Sequence, residues 1–367
     1  MRSWDEVLAR DHLERWRSAA VQPGSHASPF MHPDMIRGWL AAVGGPGAWD
    51  PFLMAARHAG GQQVLWLLVR PRGRHAGLVR RLLPPGEGLG GPHFAYNDPL
   101  VIPAASPDAV LAPGFWPAFH REIERHAGKW FDVLNLHRLR PECLDVEVGT
   151  PVAVGSTWVA LDRYASFDDY MAARPNGLAS QLRRKFRRLE SQEGVDFQLH
   201  GPDDPEAALA WLPDLEASQR ARYPDSVLPA GYLRSLVLRG VPGGLVRCSV
   251  LRAGGKGISW RIDYTLGGIL YLAYCSFEQA WARHSPGQIH SWKMLEWHVA
   301  QGGTAYDTLI GNQSYKYDWT DGAEHRLQRV QIDSRAPATV LRRHAARTIG
   351  KVRGLGERAA AVAARRG

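Results

Sequence analysis

Residues 285 to 319 read SPGQIHSWKMLEWHVAQGGTAYDTLIGNQSYKYDW, and this stretch predicts more of the fold than any other part of the chain. The Pro-Gly pair ends a preceding strand, a helix then runs to Gly302-Gly303, and the apolar run at 306 to 310 is typical of a strand. We expect the amides of residues 287 to 289 to be unsatisfied at the helix N-terminus, where a phosphate is favoured. An anionic ligand is therefore the first functional hypothesis.

The stretch resembles part of the GNAT-type acyltransferases of the CelD-like group, which are distant relatives of the Fem peptidoglycan aminoacyl transferases. In that group a short Ser-Pro-Gly turn replaces the longer acyl-CoA loop of other GNAT proteins, and here the turn is Ser285-Pro286-Gly287. An aromatic-Asp strand, a glycine and a Tyr-Lys-x-x-Trp run follow in the group. Here they correspond to Tyr306-Asp307, Gly311 and residues 315 to 319.

Weaker similarity extends the resemblance over most of the chain, to Ser28-Pro29-Phe30 with Trp39 and to a basic helix at residues 181 to 190. The resemblance implies an α/β (α+β) fold with two tandem GNAT-like mixed-sheet units and flanking helices. It also implies transfer of an acyl group from acyl-CoA to an amine acceptor, which is a sugar, an amino acid or a small-molecule intermediate.

Composition agrees with two globular units, because 367 residues correspond to about two domains of roughly 150 residues each. The cysteines Cys143, Cys248 and Cys275 are odd in number and widely spaced, which indicates neither a disulfide framework nor a metal site. The charged N-terminus lacks the apolar segment of a signal peptide, and no apolar run approaches the ~18 residues of a membrane span. The sequence therefore predicts a cytoplasmic protein.

An internal echo suggests how the chain is divided. A Pro-Gly pair, a helix and an aromatic-Asp strand occur once at residues 113 to 134 and again at 286 to 309. Glycine and proline punctuate the sequence near residues 148 to 156. We therefore predict a degenerate GNAT-like unit at residues 1–150, a second unit carrying the cofactor turn at 151–335, and a basic helical tail at 336–367.

The tail contains most of the excess positive charge. Residues 336–367 hold eight Lys or Arg residues against the single acid Glu357, so they supply +7 of the formal net charge of +9. Such a segment is typical of one that binds an anionic partner, here a membrane surface, a tRNA or an acidic protein. The nearly neutral remainder does not indicate a nucleic-acid-binding core.

Acyl transfer to an amine needs a base for the amine and an acid for the leaving thiolate. The candidate bases, each of which has a purely structural alternative, are Asp263, Glu278, His290 and Asp307. The resemblance favours Tyr315 and Lys316 more strongly. Tyr315 is the candidate acid, and Lys316 is a candidate ligand for a carboxylate or phosphate of the acceptor, unless it is simply solvated.

The predicted cofactor site consists of Ser285, Pro286, Gly287 and Gln288, which would hold the acyl-CoA pyrophosphate. An ordinary strand-to-helix turn is the alternative. The resemblance also implies that two strands splay near residues 272 to 275, including Tyr274, where backbone amides pair with the cofactor and polarise its thioester. No His or Cys spacing indicates a metal site, so none is predicted.

Two other functions stay open from the sequence. An aminoacyl-tRNA-dependent transferase of the Fem type would use the cations at 183 to 188 and in the tail, although the chain lacks the sustained heptads of a Fem coiled-coil insertion. A non-catalytic binding protein with a GNAT fold is the second alternative. A solvated helix face is an equally plausible explanation of the basic helix.

Overall fold

The computed structural model of the protein defines most of the chain. The structure describes all residues except 2, 74–77, 88–93, 107–108, 145–148, 225–227, 312, 347 and 349–367. Most of the predicted basic tail lies outside the described residues, so its partner stays a prediction. The described part of the tail is helical at residues 337–346. Arg342 there binds the buried Asp132, which anchors the start of the tail to the folded chain.

The chain forms a mixed α/β structure, as predicted. The helices are α1 (Trp4–Val7), α2 (Arg10–Ala20), α3 (Pro33–Ala42), α4 (Phe115–His126), α5 (Phe167–Ala172), α6 (Leu178–Glu193), α7 (Pro205–Arg222), α8 (Tyr232–Gly240), α9 (Pro286–Ala300) and α10 (Ser314–Tyr317). The strands are β1 (Trp49–Arg57), β2 (Gln63–Pro71), β3 (Arg81–Leu82), β4 (Leu100–Ile102), β5 (Val133–Leu139), β6 (Thr150–Pro151), β7 (Ser156–Ala160), β8 (Val195–His200), β9 (Val246–Ala253), β10 (Lys256–Leu266), β11 (Ile269–Phe277), β12 (Ala305–Ile310), β13 (Ala323–His325) and β14 (Gln328–Asp333).

A seven-stranded sheet in the order β13-β7-β12-β11-β10-β9-β8 forms the centre of the C-terminal half. Alternate residues of β9 enter two different cores, because successive side chains of a strand point to opposite faces. Cys248 and Val250 pack with α7, α8 and the N-terminal half, whereas Leu251 and Ala253 pack with α6 and α9. The sheet is therefore covered on both faces.

The hairpin that joins β10 and β11 is specified locally. Leu266 pairs with Ile269, and the two residues between them, Gly267 and Gly268, both have positive φ values, 58° and 78°. Glycine adopts this conformation without steric cost, and two such residues form the turn that matches the twist of a hairpin. This turn therefore fixes the register between β10 and β11.

In both halves a helix precedes a strand that pairs in parallel with an earlier strand, and the duplication of the two halves stays a prediction. In the C-terminal half, α9 connects β11 to the parallel strand β12, and in the N-terminal half α4 precedes β5, which is parallel to β3. The next strand of each sheet comes from the other side of the predicted boundary. β14 pairs with β5, and β7 pairs with β12. The division at residue 150 stays a prediction, but sheet membership does not follow it.

Among the described residues, no helix combines the length and the hydropathy that are needed to cross a membrane.

Candidate functional site

The parallel strands β11 and β12 separate part of the way along their length. They are paired from Ile269 opposite Ala305 to Tyr271 opposite Asp307, and no pair is formed beyond this point. Irregularities in both strands accompany the separation. In β11, Ala273 is an extra residue relative to β10, and in β12 the register with β7 shifts between residues 307 and 310. Bulges of this kind redirect strands and are frequent beside active sites.

A cavity of about 260 Å³ occupies the gap between the two strands. Strand residues 272 to 275 and 309 to 310 form its walls, and α7 and the N-terminal half approach it from one face of the sheet. The other lining residues are Phe30, Ala95, Gln219, Tyr223, Tyr264, Gln313, Tyr315 and Lys316. The structure thus brings together three of the predicted site residues, Tyr274, Tyr315 and Lys316. We call this space the strand cavity.

The Tyr315 phenol is held in its protonated form. Burial raises its pKa above the ordinary value, and the neighbouring Cys275 thiol raises it further through charge and a hydrogen bond. A phenol with a raised pKa keeps its proton at neutral pH, so its O–H is available as a hydrogen-bond donor in the strand cavity. Tyr315 lines the strand cavity, and its role as an acid stays a prediction.

The Lys316 ammonium group is buried at the edge of the strand cavity. Its Nζ donates to the carbonyl oxygens of Leu309, at 3.3 Å, and Ile310, at 2.6 Å. Leu309 has a φ of 57°, so these two carbonyls turn out of the regular strand. Burial lowers the pKa of Lys316 to about 8, although Cys275 and Asp307 act in the opposite direction. A substantial fraction of this lysine is therefore neutral slightly above neutral pH.

Tyr274 contributes to a group of tyrosines at the back of the strand cavity. Its neighbours are Tyr264 and Tyr232, and the ring centroids of Tyr232 and Tyr274 are 6.4 Å apart. Burial raises the pKa of Tyr274 to about 12. The side chain therefore stays neutral and gives this wall an aromatic, uncharged surface.

Asp307 does not line the strand cavity. It borders a different cavity of about 650 Å³, together with Arg140, Glu142, Trp158 and His325 among others. The Tyr96 hydroxyl lies 2.8 Å from both carboxylate oxygens of Asp307. Burial raises the pKa of this carboxyl group. The sequence predicted Asp307 as a candidate base. The structure places it outside the strand cavity, which holds Tyr315.

Asp263 is part of a buried ion pair. Its carboxylate is 2.6 Å from the Arg261 guanidinium, and Arg261 also donates to Ser291 Oγ at 2.5 Å. Both side chains of the pair are at most 1% exposed. Burial raises the pKa of Asp263, against the effect of Arg261. Asp263 is not among the residues that line the strand cavity, so its position indicates a structural role and not the predicted role of a base.

The other two candidate bases also lie elsewhere. Glu278 is exposed just after β11. His290 is fully buried, with its ring nitrogens 2.8 Å from Ser249 Oγ and 3.0 Å from Ser259 Oγ. Burial, and then Arg261, lower the pKa of His290 well below its usual value, so the ring is neutral. His290 does not line the strand cavity, so its position does not match that of the predicted base.

The predicted cofactor turn lies at the N-terminus of α9, away from the lining of the strand cavity. Ser285 has a left-handed conformation, with φ 54° and ψ 50°, and Pro286 is the first helical residue. The amides of Gln288 and Ile289 both donate to the Ser285 carbonyl at 3.1 Å. The expectation that these two amides are unsatisfied is therefore wrong, because the Ser285 conformation turns its carbonyl toward them.

Basic side chains surround this turn. Lys185 of α6 donates to Ser285 Oγ at 2.7 Å, and Arg283 donates to His284 at 2.9 Å. Burial, then Arg283 and Arg188, lower the pKa of His284, which shows that both cations are near. Helix α6 thus contributes positive charge to the same place as the helix dipole of α9. The sequence indicated the charge of α6 but gave no signal that it meets the turn.

The contacts of α7 with β11 were not predicted from the sequence. Gln219 Nε2 donates to the Cys275 carbonyl at 2.6 Å, and Ser218 Oγ donates to the Phe277 carbonyl at 3.1 Å. These bonds satisfy part of the edge of β11 that has lost its partner strand. These contacts depend on long-range packing, which the helical sequence pattern of α7 does not reveal.

One group of possible metal ligands exists among the described residues. The ligand atoms of His26, Asp98 and Cys143 lie within 4.8 Å of one another. However, the Arg140 guanidinium is 2.8 Å from His26 Nε2 and 2.5 Å from Asp98. This cation contacts both of these residues, and its charge disfavours a second cation beside them. The cluster is therefore better described as an internal hydrogen-bond network.

The match to a known family model covers the part of the chain that carries the splayed strands. Residues 177–317 match the model described as an acetyltransferase (GNAT) domain. This part of the chain is therefore similar to GNAT acetyltransferase domains, which supports an acyltransferase. No protein with a curated description matches the sequence.

Solved structures share the fold over nearly the whole chain. FemX has 9% sequence identity and a TM-score of 0.58, with 86% of this chain and 98% of that chain covered. The C-terminal domain of a protein from Agrobacterium fabrum, described as a lysylphosphatidylglycerol synthetase, has 11% identity and a TM-score of 0.53, covering 90% and 93%. A conserved protein of unknown function from Bacteroides thetaiotaomicron has 9% identity and a TM-score of 0.51, covering 89% and 96%.

Proposed function

We propose that the protein is an N-acyltransferase of the CelD-like group that moves an acyl group from acyl-CoA to an amine acceptor. The strand cavity between β11 and β12 carries this proposal. The edge of β11 beyond Tyr271 has no partner strand, so the backbone groups there that α7 does not bind can pair with the extended arm of a thioester substrate. The acceptor amine would enter from the face covered by α7 and the N-terminal half.

The side chains of the strand cavity support direct transfer. The amine nitrogen attacks the thioester carbonyl carbon, the carbon–sulfur bond breaks, and the Tyr315 phenol gives its proton to the leaving thiolate. Lys316, when neutral, receives the proton from the amine. Two N–H bonds of a neutral Lys316 point to the Leu309 and Ile310 carbonyls, which leaves its lone pair for this proton.

The N-terminus of α9 would hold the pyrophosphate of the donor. Gly287 retains a backbone amide near Lys185, Arg188 and Arg283, and the dipole of the 15-residue helix favours an anion there. A Cβ atom on Gly287 would lie 3.3 Å from Phe277 Cδ1. Substitution of Gly287 therefore displaces Phe277 as well, and a substitution of Lys185 is the cleaner test.

The first prediction concerns donor binding. Lys185→Ala is expected to weaken CoA and acetyl-CoA binding about 10-fold or more, because a charge-assisted hydrogen bond to phosphate is lost. Calorimetric titration measures the effect. Arg184→Ala is the matched control, since Arg184 is exposed on the same helix and its loss should change the Kd less than about two-fold. Absence of CoA binding to the unaltered protein contradicts the proposed donor.

The second prediction uses the lowered pKa of Lys316. If neutral Lys316 is the base, kcat/KM rises with pH through about 8, because deprotonation creates the active form. Lys316→Arg, which stays protonated, should remove this rise and retain the positive charge. A cation that only bound an anionic acceptor gives the opposite sign, since activity would fall above pH 8. A pH profile of acetyl transfer, followed by CoA release, decides between the two.

Because α6 exposes cations, aminoacyl-tRNA is a second candidate donor. Arg183, Arg184, Arg187 and Arg188 are all exposed on that helix. Such a surface attracts the phosphates of a nucleic acid. The titration with CoA separates the two donors, because an aminoacyl-tRNA-dependent transferase would show salt-sensitive tRNA binding and no CoA binding.

A further inference from the structure

Strand β12 contains a strained residue at the point where it borders the strand cavity. Leu309 has a φ of 57°, and this left-handed region is uncommon for a residue that has a side chain. The strand also has one extra residue here, because Thr308 and Leu309 both lie opposite Thr157 of β7. Strain of this kind persists only where the surrounding structure imposes it, and it is frequent at functional sites. We call this irregularity the β12 bulge.

The Asp307 carboxylate holds the conformation of the β12 bulge. Its Oδ1 accepts a hydrogen bond from the Leu309 amide at 2.7 Å. Aspartate side chains commonly bind the backbone two residues further along, and they stabilise turn conformations in this way. Asp307 is 4% exposed, so water competes little for this bond. The strained backbone of Leu309 is therefore tied to the carboxylate.

The β12 bulge directs two backbone carbonyls at the candidate base. The Nζ atom of Lys316 donates to the carbonyl oxygens of Leu309, at 3.3 Å, and Ile310, at 2.6 Å. A regular strand turns successive carbonyls to opposite sides, so it does not offer both oxygens to one ammonium group. The position of the Lys316 amine at the edge of the strand cavity thus depends on the conformation of Leu309.

The N-terminal half holds the same carboxylate from another direction. The hydroxyl group of Tyr96 lies 2.8 Å from both Asp307 oxygens and 2.6 Å from Ser156 Oγ of β7. Tyr96 is fully buried. A phenol that donates to a carboxylate restricts its orientation. The contacts therefore run from Tyr96 through the carboxylate and the β12 bulge to Lys316.

Asp307 also acts on Lys316 through its charge. Burial lowers the pKa of Lys316 to about 8, and Cys275 of β11 and then Asp307 act against this effect. Burial raises the pKa of Asp307, but the hydrogen bonds that it accepts favour its charged form. The other titratable groups that face Asp307 are His325, Tyr96 and Arg140. Loss of the carboxylate charge should therefore lower the pKa of Lys316.

We propose that Asp307 is a positioning residue that holds Lys316 at the strand cavity by fixing the conformation of Leu309. Asp307 does not line the strand cavity, so it acts through the lysine. Its effect on turnover rests on the proposed role of Lys316 as the base. Its effect on the position and the titration of Lys316 does not depend on that role.

Two substitutions of Asp307 test the positioning role. Asp307→Ala removes the acceptor of the Leu309 amide, and it is expected to lower kcat for acetyl transfer about 10-fold or more. The Kd for acetyl-CoA should stay within about two-fold of that of the unaltered protein. Asp307→Asn retains an oxygen that accepts this hydrogen bond, so its kcat above the pH-dependent rise should recover to within about three-fold. Steady-state kinetics and calorimetric titration measure these quantities.

The titration of Lys316 provides a measurement that does not require turnover. In protein with isotope-labelled lysine, the side-chain NMR signal that Lys316→Arg removes belongs to Lys316. The pKa of this signal should be lower in Asp307→Asn than in the unaltered protein, because a nearby negative charge is lost. The rise of kcat/KM should move to lower pH together with it. A residue that contributed only to folding would not change this pKa.

Thr308→Val is the matched control, since Thr308 lies on the same strand and is 1% exposed. Its hydroxyl donates to the Thr157 carbonyl at 3.0 Å, so the substitution weakens β12 without removing the acceptor of the Leu309 amide. The kcat of Thr308→Val should change less than about two-fold. An equal loss of kcat in Thr308→Val and Asp307→Ala overturns the proposal, because general weakening of the strand would explain both.

The remaining outcomes separate this proposal from the proposed function. An unchanged kcat in Asp307→Ala, or an unchanged Lys316 titration in Asp307→Asn, overturns the positioning role. If Lys316→Arg retains the full rate, Lys316 is rejected as the base. A lower pKa of Lys316 in Asp307→Asn would still support the link between the two residues in that case.

Discussion

Asp263→Ala is expected to lower the free energy of unfolding by about 3–5 kcal/mol, because it leaves the Arg261 guanidinium buried without its counter-charge. The two side chains are at most 1% exposed and 2.6 Å apart, so water cannot replace the lost carboxylate. Chemical denaturation followed by far-ultraviolet circular dichroism measures the change. The result also separates the structural role of Asp263 from the catalytic role that the sequence suggested.

A double variant provides the control for this effect. Replacing both partners, as in Arg261→Met with Asp263→Leu, removes the two charges together and should recover most of the lost stability. If Asp263→Ala instead folds with unchanged stability and loses turnover, the ion pair has little structural importance and the aspartate acts on the reaction.

Tyr315→Phe is expected to lower kcat for acetyl transfer about 10²-fold or more, with little change in the Kd for acetyl-CoA. The phenol of Tyr315 is the acid that protonates the leaving thiolate in the proposed mechanism, and phenylalanine retains its packing in the strand cavity. Steady-state kinetics and calorimetric titration together measure the two quantities.

Tyr317→Phe is the matched control for Tyr315→Phe, since both residues lie on α10 and Tyr317 is 37% exposed. Its kcat should stay close to that of the unaltered protein. Equal kcat values for all three proteins would exclude Tyr315 from proton transfer. An increase in the Kd for acetyl-CoA that matches the fall in kcat would instead assign Tyr315 to substrate binding.

The helices and strands of the C-terminal half follow from local sequence signals. The basic helix predicted at residues 181 to 190 lies within α6 (Leu178–Glu193), and the strand predicted at 306 to 310 is β12. Apolar periodicity and glycines specify such elements without reference to the rest of the chain. The mixed α/β fold could be predicted for the same reason.

The chemical environment of single residues was harder to predict. Arg261 and Asp263 are two positions apart on β10, so a strand places them on one face, and their pairing was foreseeable. Tyr315 and Lys316 reach the strand cavity because α10 follows β12 closely. The separation of Asp307 from them depends on the irregularity at Leu309, which has no sequence signature. The left-handed conformation of Ser285 likewise has no sequence signature.

The exchange of strands between the halves has a consequence for synthesis on the ribosome. β5 is made early, but its neighbour β14 is the last strand among the described residues, so the N-terminal sheet stays incomplete until residues 328–333 have emerged. A nascent chain that ends near residue 150 therefore exposes an unpaired strand edge, which is prone to association. Separately produced fragments 1–152 and 153–348 would each need the other for completion, and they form a natural pair for reconstitution by complementation.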